Sequence, residues 1–80
     1  MLEKLQNGAK AVGQKQTLRA VRDDRAEAVF IAADAAEKVT GPVKETCALK
    51  GVGFTEVPTM KELGSACGIQ IGAAAAALLK

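Results

Sequence analysis

Lys15, Arg19 and Arg22 are spaced i, i+4 and i+7, and no acidic residue stands between Lys10 and Arg22. On a helix opening after Gly13, the three share one face, opposite Leu18 and Val21. A row of positive charge of this kind attracts anions. The first N–H groups of such a helix are unpaired and partly positive, and a glycine before them lets a phosphate approach. The stretch Gly13-Gln14-Lys15-Gln16-Thr17 lacks the spacing of a phosphate-binding P-loop, so that nucleotide site is excluded. The plainer reading is a solvated helix face.

Two further features are candidates. Gly68-Ile69-Gln70-Ile71-Gly72 places two isoleucines around a glutamine between glycines. It reads either as an apolar loop that meets a ligand or as a loop anchored to the core by its isoleucines. Asp34 follows an apolar run and resembles a carboxylate at a sheet edge. No second carboxylate, nucleophile or cofactor motif accompanies it, so a turn or helix cap is the better reading. The chain has no His, and Ser65 is its only serine, so Ser-His-Asp and Cys-His sites are excluded. Cys47 and Cys67 stand alone, too few for a structural zinc site. Neither a metal nor a cofactor is expected, and no catalytic residue is assigned. One disulfide is conceivable, but reduced thiols in a cytoplasmic protein fit better.

The 80 residues leave room for one domain, residues 1–80, with a thin core. The net charge of +2 conceals an uneven division. From Met1 to Arg22, five basic residues stand against Glu3, a local charge of +4. The rest of the chain carries six bases and eight acids, or −2. The longest apolar run, Ala73 to Leu79, is too short to span a bilayer. With Phe30 and Phe54 the only aromatics, a domain that binds single strands by stacking bases on aromatics would be hard to make.

The elements that position these residues alternate. Leu2–Asn7 reads as a short helix, Lys10–Val12 as a strand, and Gln14–Asp24 as a helix ended by Asp23-Asp24-Arg25. Ala28–Ala33 is continuous and apolar, the mark of a central strand covered on both faces. A turn or short helix follows to Val39, and Thr40-Gly41-Pro42 is expected to interrupt it. Val43–Lys50 then reads as a helix capped by Gly51, and Phe54–Val57 as a strand. Thr59 and Glu62 have capping-box spacing, and Met60, Leu63, Gly64 and Cys67 would pack inward from one helix. Gly64 would allow a close approach there, and both Phe residues are expected in the core. Propensity makes Ala73–Leu79 a helix, whereas its place in an alternating chain permits a strand. The fold class is α/β, with helices on both faces of a small sheet.

Three motifs in order then carry a resemblance. Gly13-Gln14-Lys15-Gln16-Thr17-Leu18-Arg19-Ala20-Val21 resembles a helix start of the ribosomal protein L7Ae/L30e family. Ile31-Ala32-Ala33-Asp34-Ala35 resembles its strand-end segment. Val57–Gly64 and Ala66–Ala74 resemble its C-terminal signature. The match runs from about Lys10 to Leu79.

The resemblance implies a three-layer α/β/α sandwich around a mixed four-stranded sheet, with Ala73–Leu79 a strand. It implies binding of kink-turns, sharply bent RNA internal loops with tandem sheared G·A pairs. Gly13, Gln14, Lys15, Gln16 and Arg19 would then enter the groove at those pairs. Ile69, Gln70, Ile71 and Gly72 would pack on an extruded nucleotide, and Lys10, Arg22 and Lys61 would add phosphate contacts. Lys15-Gln16, in place of the Asn-Glu usual in archaeal and eukaryotic members, looks like the bacterial branch. Gln16 both donates and accepts, whereas Glu only accepts, and Lys15 supplies a point charge, so base recognition becomes more phosphate-driven. Ala36 stands where many members carry an acid. The expected partner is structured RNA, such as ribosomal RNA, a riboswitch or a leader RNA, with no DNA and no membrane. A different reading makes the chain a protein-binding subunit of a ribonucleoprotein particle.

Overall fold

The computed structural model describes residues 8–80, and the helix expected over residues 2–7 lies outside them. Four strands and three helices follow: β1 (Lys10–Val12), α1 (Gln14–Arg22), β2 (Ala26–Ala32), α2 (Glu37–Lys50), β3 (Phe54–Val57), α3 (Met60–Ala66) and β4 (Ala75–Leu79). The sheet order is β1-β4-β2-β3. β4 runs antiparallel to both β1 and β2, and β3 runs parallel to β2.

Alternation along the two central strands divides the core into two layers. Phe30, Ala32, Ala76 and Leu78 face α3, where they meet Leu63 and Cys67. Val29, Ile31, Ala75 and Ala77 face α1 and α2, against Ala20, Val21, Val43 and Cys47. The fold is therefore the α/β/α sandwich with a mixed four-stranded sheet. β4 is a strand despite its alanines. Strands β1 and β2 supply hydrogen-bond partners along both its edges, and burial between helices suits small side chains.

Three expectations need correction. Thr40-Gly41-Pro42 does not interrupt a helix, because α2 runs unbroken through Pro42. The proline forfeits one hydrogen bond, but the Cβ clash that usually drives the preceding residue out of helix is absent at Gly41. Buried Thr40, Val43 and Cys47 hold the helix down on both sides of the proline. Phe54 is 41% exposed, because β3 is an edge strand, and Lys44 lies 6.0 Å from the ring centroid. Met60, the first residue of α3, is 37% exposed at the end of the sheet rather than inside it.

Cys47 and Cys67 are free, buried and on opposite sides of the sheet. Burial raises both thiols above their ordinary range, and the charge of Lys10 opposes this in part at Cys67. A raised folded-state value means the unfolded chain gives up its thiol protons first. Stability should hold below the ordinary thiol range and fall as pH rises through it. Iodoacetamide should label neither cysteine in the native protein and both in denaturant, as read by mass spectrometry. Native labelling at neutral pH would contradict the burial.

Candidate nucleic-acid interface

Strand direction gathers the candidate residues. β2 and β3 are parallel, and β1 and β2 both oppose β4. The segments leaving β1, β2 and β3 and the segment entering β4 therefore meet at one end of the sheet. Backbone bonds stitch this end together: Gly13 N–H donates to Ala75 O (2.8 Å), Ala32 N–H to Ala74 O (2.9 Å) and Ala33 N–H to Val57 O (2.8 Å).

Gly13 turns the chain from β1 into α1 at φ 104°, a conformation that L side chains rarely adopt. The start of α1 has no side-chain cap and no acidic residue in its first turn. The start of α3 at the same end is closed twice. Thr59 Oγ1 accepts from Glu62 N–H at 3.0 Å, and Asp34 Oδ1 accepts from Met60 N–H at 2.8 Å. Asp34 is thus a helix cap, for a helix 26 residues away in sequence. Positive potential at this end is left unneutralised at α1.

Thr17, Ala20 and Val21 bury one side of α1, leaving Lys15, Gln16, Arg19 and Arg22 exposed. Lys15 and Gln16 lie beside Gly13, whereas Arg19 and Arg22 sit in the last turn, where they also complement the helix dipole. Thr17 was not marked by sequence. Its Oγ1 is buried with no hydrogen-bond partner among the described residues. A buried unpaired hydroxyl costs about 1–3 kcal/mol. Thr17→Val should therefore leave stability unchanged or raise it by about 1 kcal/mol in a denaturant titration. A clear loss would reveal a partner for the hydroxyl.

The loop before β4 is fastened to α3. Ile69 N–H donates to Gly64 O (3.1 Å) and Ala73 N–H to Met60 O (3.0 Å). Gly64 meets the backbone of Ile71, and a side chain on Gly72 would come 3.1 Å from Met60 Cβ. The two isoleucines divide the two readings of the loop between them. Ile69 is half-buried against the core, whereas Ile71 is 75% exposed beside exposed Gln70 and Gly72. Lys61 is exposed in the first turn of α3, at the same end. Lys10 pairs with Leu78, which places it on the α3 face, away from the α1 row.

This surface presents fixed positive charge, unpaired N–H groups and an apolar side chain. It can bind an anion beside an apolar or planar group. Among the described residues, no cluster of three or more His, Cys, Asp or Glu could hold a metal, and no helix is long and apolar enough to cross a membrane.

Comparison with known proteins agrees with the fold. An RNA-binding protein of Caldanaerobacter subterraneus is 50% identical over 68 residues, 85% of this chain and 83% of that protein. The large ribosomal subunit protein eL8 of Halobacterium salinarum is 36% identical over 73 residues, 90% of this chain and 61% of that protein. The solved structure of a Giardia lamblia 15.5kD RNA binding protein superposes with a TM-score of 0.91 at 28% identity, covering 99% of this chain and 70% of that one. A match to the family spans residues 2–80, and the chain belongs to the ribosomal protein L7Ae/L30e/S12e/Gadd45 family.

Proposed function

We propose that residues 1–80 act as one cytoplasmic domain that binds structured RNA at a kink-turn and stabilises its bent form without catalysis. The observation that carries this is the juxtaposition, at one end of the sheet, of the open α1 start with the exposed Ile71 loop. A helix end and its basic row suit a widened groove, and an apolar residue suits a base that has left the stack. Gln14, Lys15, Gln16 and Arg19 follow Gly13 into the groove. Arg22 and Lys61 meet phosphates, and Gln70, Ile71 and Gly72 meet the extruded nucleotide while Ile69 anchors them. The names of the relatives support an RNA partner, and the archaeal one supports ribosomal RNA as one setting.

The protein folds the RNA only as far as it binds the bent form better than the extended one. With about four phosphates neutralised, log affinity should fall against log salt with a slope of roughly −3 to −4. The test is a gel shift comparing a kink-turn with the same RNA lacking its sheared G·A pairs. Strong preference for the kink-turn is expected, and equal binding would overturn the proposal. The exposure of Ile71 favours one competing reading, a protein of a ribonucleoprotein particle on that loop. On that reading, Ile71→Asp weakens a protein partner and leaves RNA affinity intact.

A further inference from the structure

A groove of about 250 Å³ runs between α1 and the edge strand β1. Gln16, Arg19 and Arg25 form its rim, over a floor that includes Ala11 and Ala20. Among the described residues, no carboxylate lines it and neither Arg19 nor Arg25 is held in an ion pair. Gln16 also belongs to the surface at the Gly13 end, so groove and surface are continuous. Arg25 is on neither the Lys15 row nor the Ile71 loop, and the proposed kink-turn contacts leave it unused.

The chain fixes Arg25 at the far end of this groove. Helix α1 closes with a tight reversal in which Asp24 adopts φ 58°. Arg25 N–H donates to Ala20 O (2.9 Å) and Asp24 N–H to Val21 O (3.2 Å), the paired bonds of a Schellman turn. Arg25 O in turn accepts from Lys80 N–H at 2.9 Å. The backbone of Arg25 is therefore held on both sides while its side chain is exposed. The adjacent carboxylate of Asp24 is engaged by Lys50 of α2 at 3.0 Å.

We propose that this groove carries the phosphodiester backbone of an RNA stem leaving the kink, with Arg25 as its far anchor. The proposal rests on RNA binding at the Gly13 end. A linear polyanion fits better than a single anion. Arg19 on α1 and Arg25 beyond its closing turn present two guanidinium groups to the groove, with Gln16 one helical turn before Arg19, enough for successive phosphates rather than one. Guanidinium groups match phosphate oxygens in pairs. The alanine floor leaves room for a sugar-phosphate chain, and Gln16 both donates to and accepts from ribose hydroxyls.

The test uses two RNAs sharing one kink-turn, one with long stems and one with stems trimmed to the shortest that still fold. Affinities are read by fluorescence anisotropy over a salt series. Arg25→Glu should weaken binding of the long-stem RNA about tenfold and flatten its salt slope by about 1. It should leave the short-stem RNA unchanged. Ala11→Leu, which fills the floor without altering charge, should produce the same stem-dependent loss. A matching wild-type melting curve shows that each variant is folded. Unchanged long-stem affinity, or equal losses on both RNAs, overturns the proposal. Loss of G·A dependence in the wild type would instead overturn the kink-turn reading, and a stem-length effect of Arg25 would survive it.

Discussion

Replacing Lys15 and Arg19 together by glutamate should lower affinity for a kink-turn RNA by about a hundredfold or more. On the proposed mode of binding each side chain makes a separate phosphate or base-edge contact, and losing one such contact costs about 1–3 kcal/mol. The new carboxylates add repulsion that rises as salt falls, so the loss should be greatest at low ionic strength. The salt slope should become shallower by about 2. The fold should survive, because both residues are exposed and unpaired among the described residues. Surface changes of this kind shift stability by about 0.5 kcal/mol, with roughly 0.3–1 kcal/mol more for reversing Arg19 at the helix end. Gln16→Ala separates shape from charge. It should cost about 1–3 kcal/mol and reduce preference for the sheared pairs without altering the salt slope. Anisotropy titrations across a potassium chloride series check all three outcomes. Wild-type affinity in the double variant would remove α1 from the interface.

Gly64→Ala should impair both folding and binding, although helix propensity predicts the opposite. Alanine in a helix is favoured over glycine by about 1 kcal/mol. Here the added Cβ would overlap the carbonyl oxygen of Ile71 and lie 3.1 Å from Gly72 Cα. Those atoms are backbone, so they move only if the whole loop moves. Overpacking of this kind costs about 1–3 kcal/mol, enough to cancel the propensity gain and leave a net loss. Each net kcal/mol lowers Tm by about 4–8 °C in a domain of this size. Displacing Ile71 should weaken RNA binding about tenfold or more, beyond what stability explains. Ser65→Ala, an exposed neighbour on the same helix, is the control and should change neither. Calorimetry and binding of both variants decide the point. A more stable Gly64→Ala protein with full affinity would show that the loop is not held by this contact.

Local signals in the sequence mark the parts of the fold that depend on neighbours in the chain. The apolar run in β2, the Thr59 cap and the Gly51 stop are all visible as sequence and present in the structure. What the sequence hides depends on distant partners. Alanines over residues 75–77 signal helix until β1 and β2 are known to lie on either side. Phe54 reads as core until β3 is known to be an edge. Asp34 has no visible helix to cap, because its partner begins at Met60. The candidate surface divides likewise. The Lys15, Arg19 and Arg22 row follows from periodicity alone. Which isoleucine of the loop faces out is decided by Gly64 and Met60 of α3. Arg25 reads only as part of a polar helix stop, since its place beside β1 requires the turn at Asp24 and the pairing of β4.

The position of β4 also sets an order of events during synthesis. β1 and β2 are not neighbours in the sheet, because β4 stands between them. A growing chain that has not yet exposed Ala75–Leu79 therefore holds two strands with nothing to join them. The bond from Gly13 N–H to Ala75 O cannot form either. β2 and β3 can pair without β4, but β1 joins them, and the end that bears Gly13 is completed, only when β4 is in place. A chain that has not yet released β4 lacks the assembled Gly13 end, so that surface is among the later parts of the domain to form during synthesis.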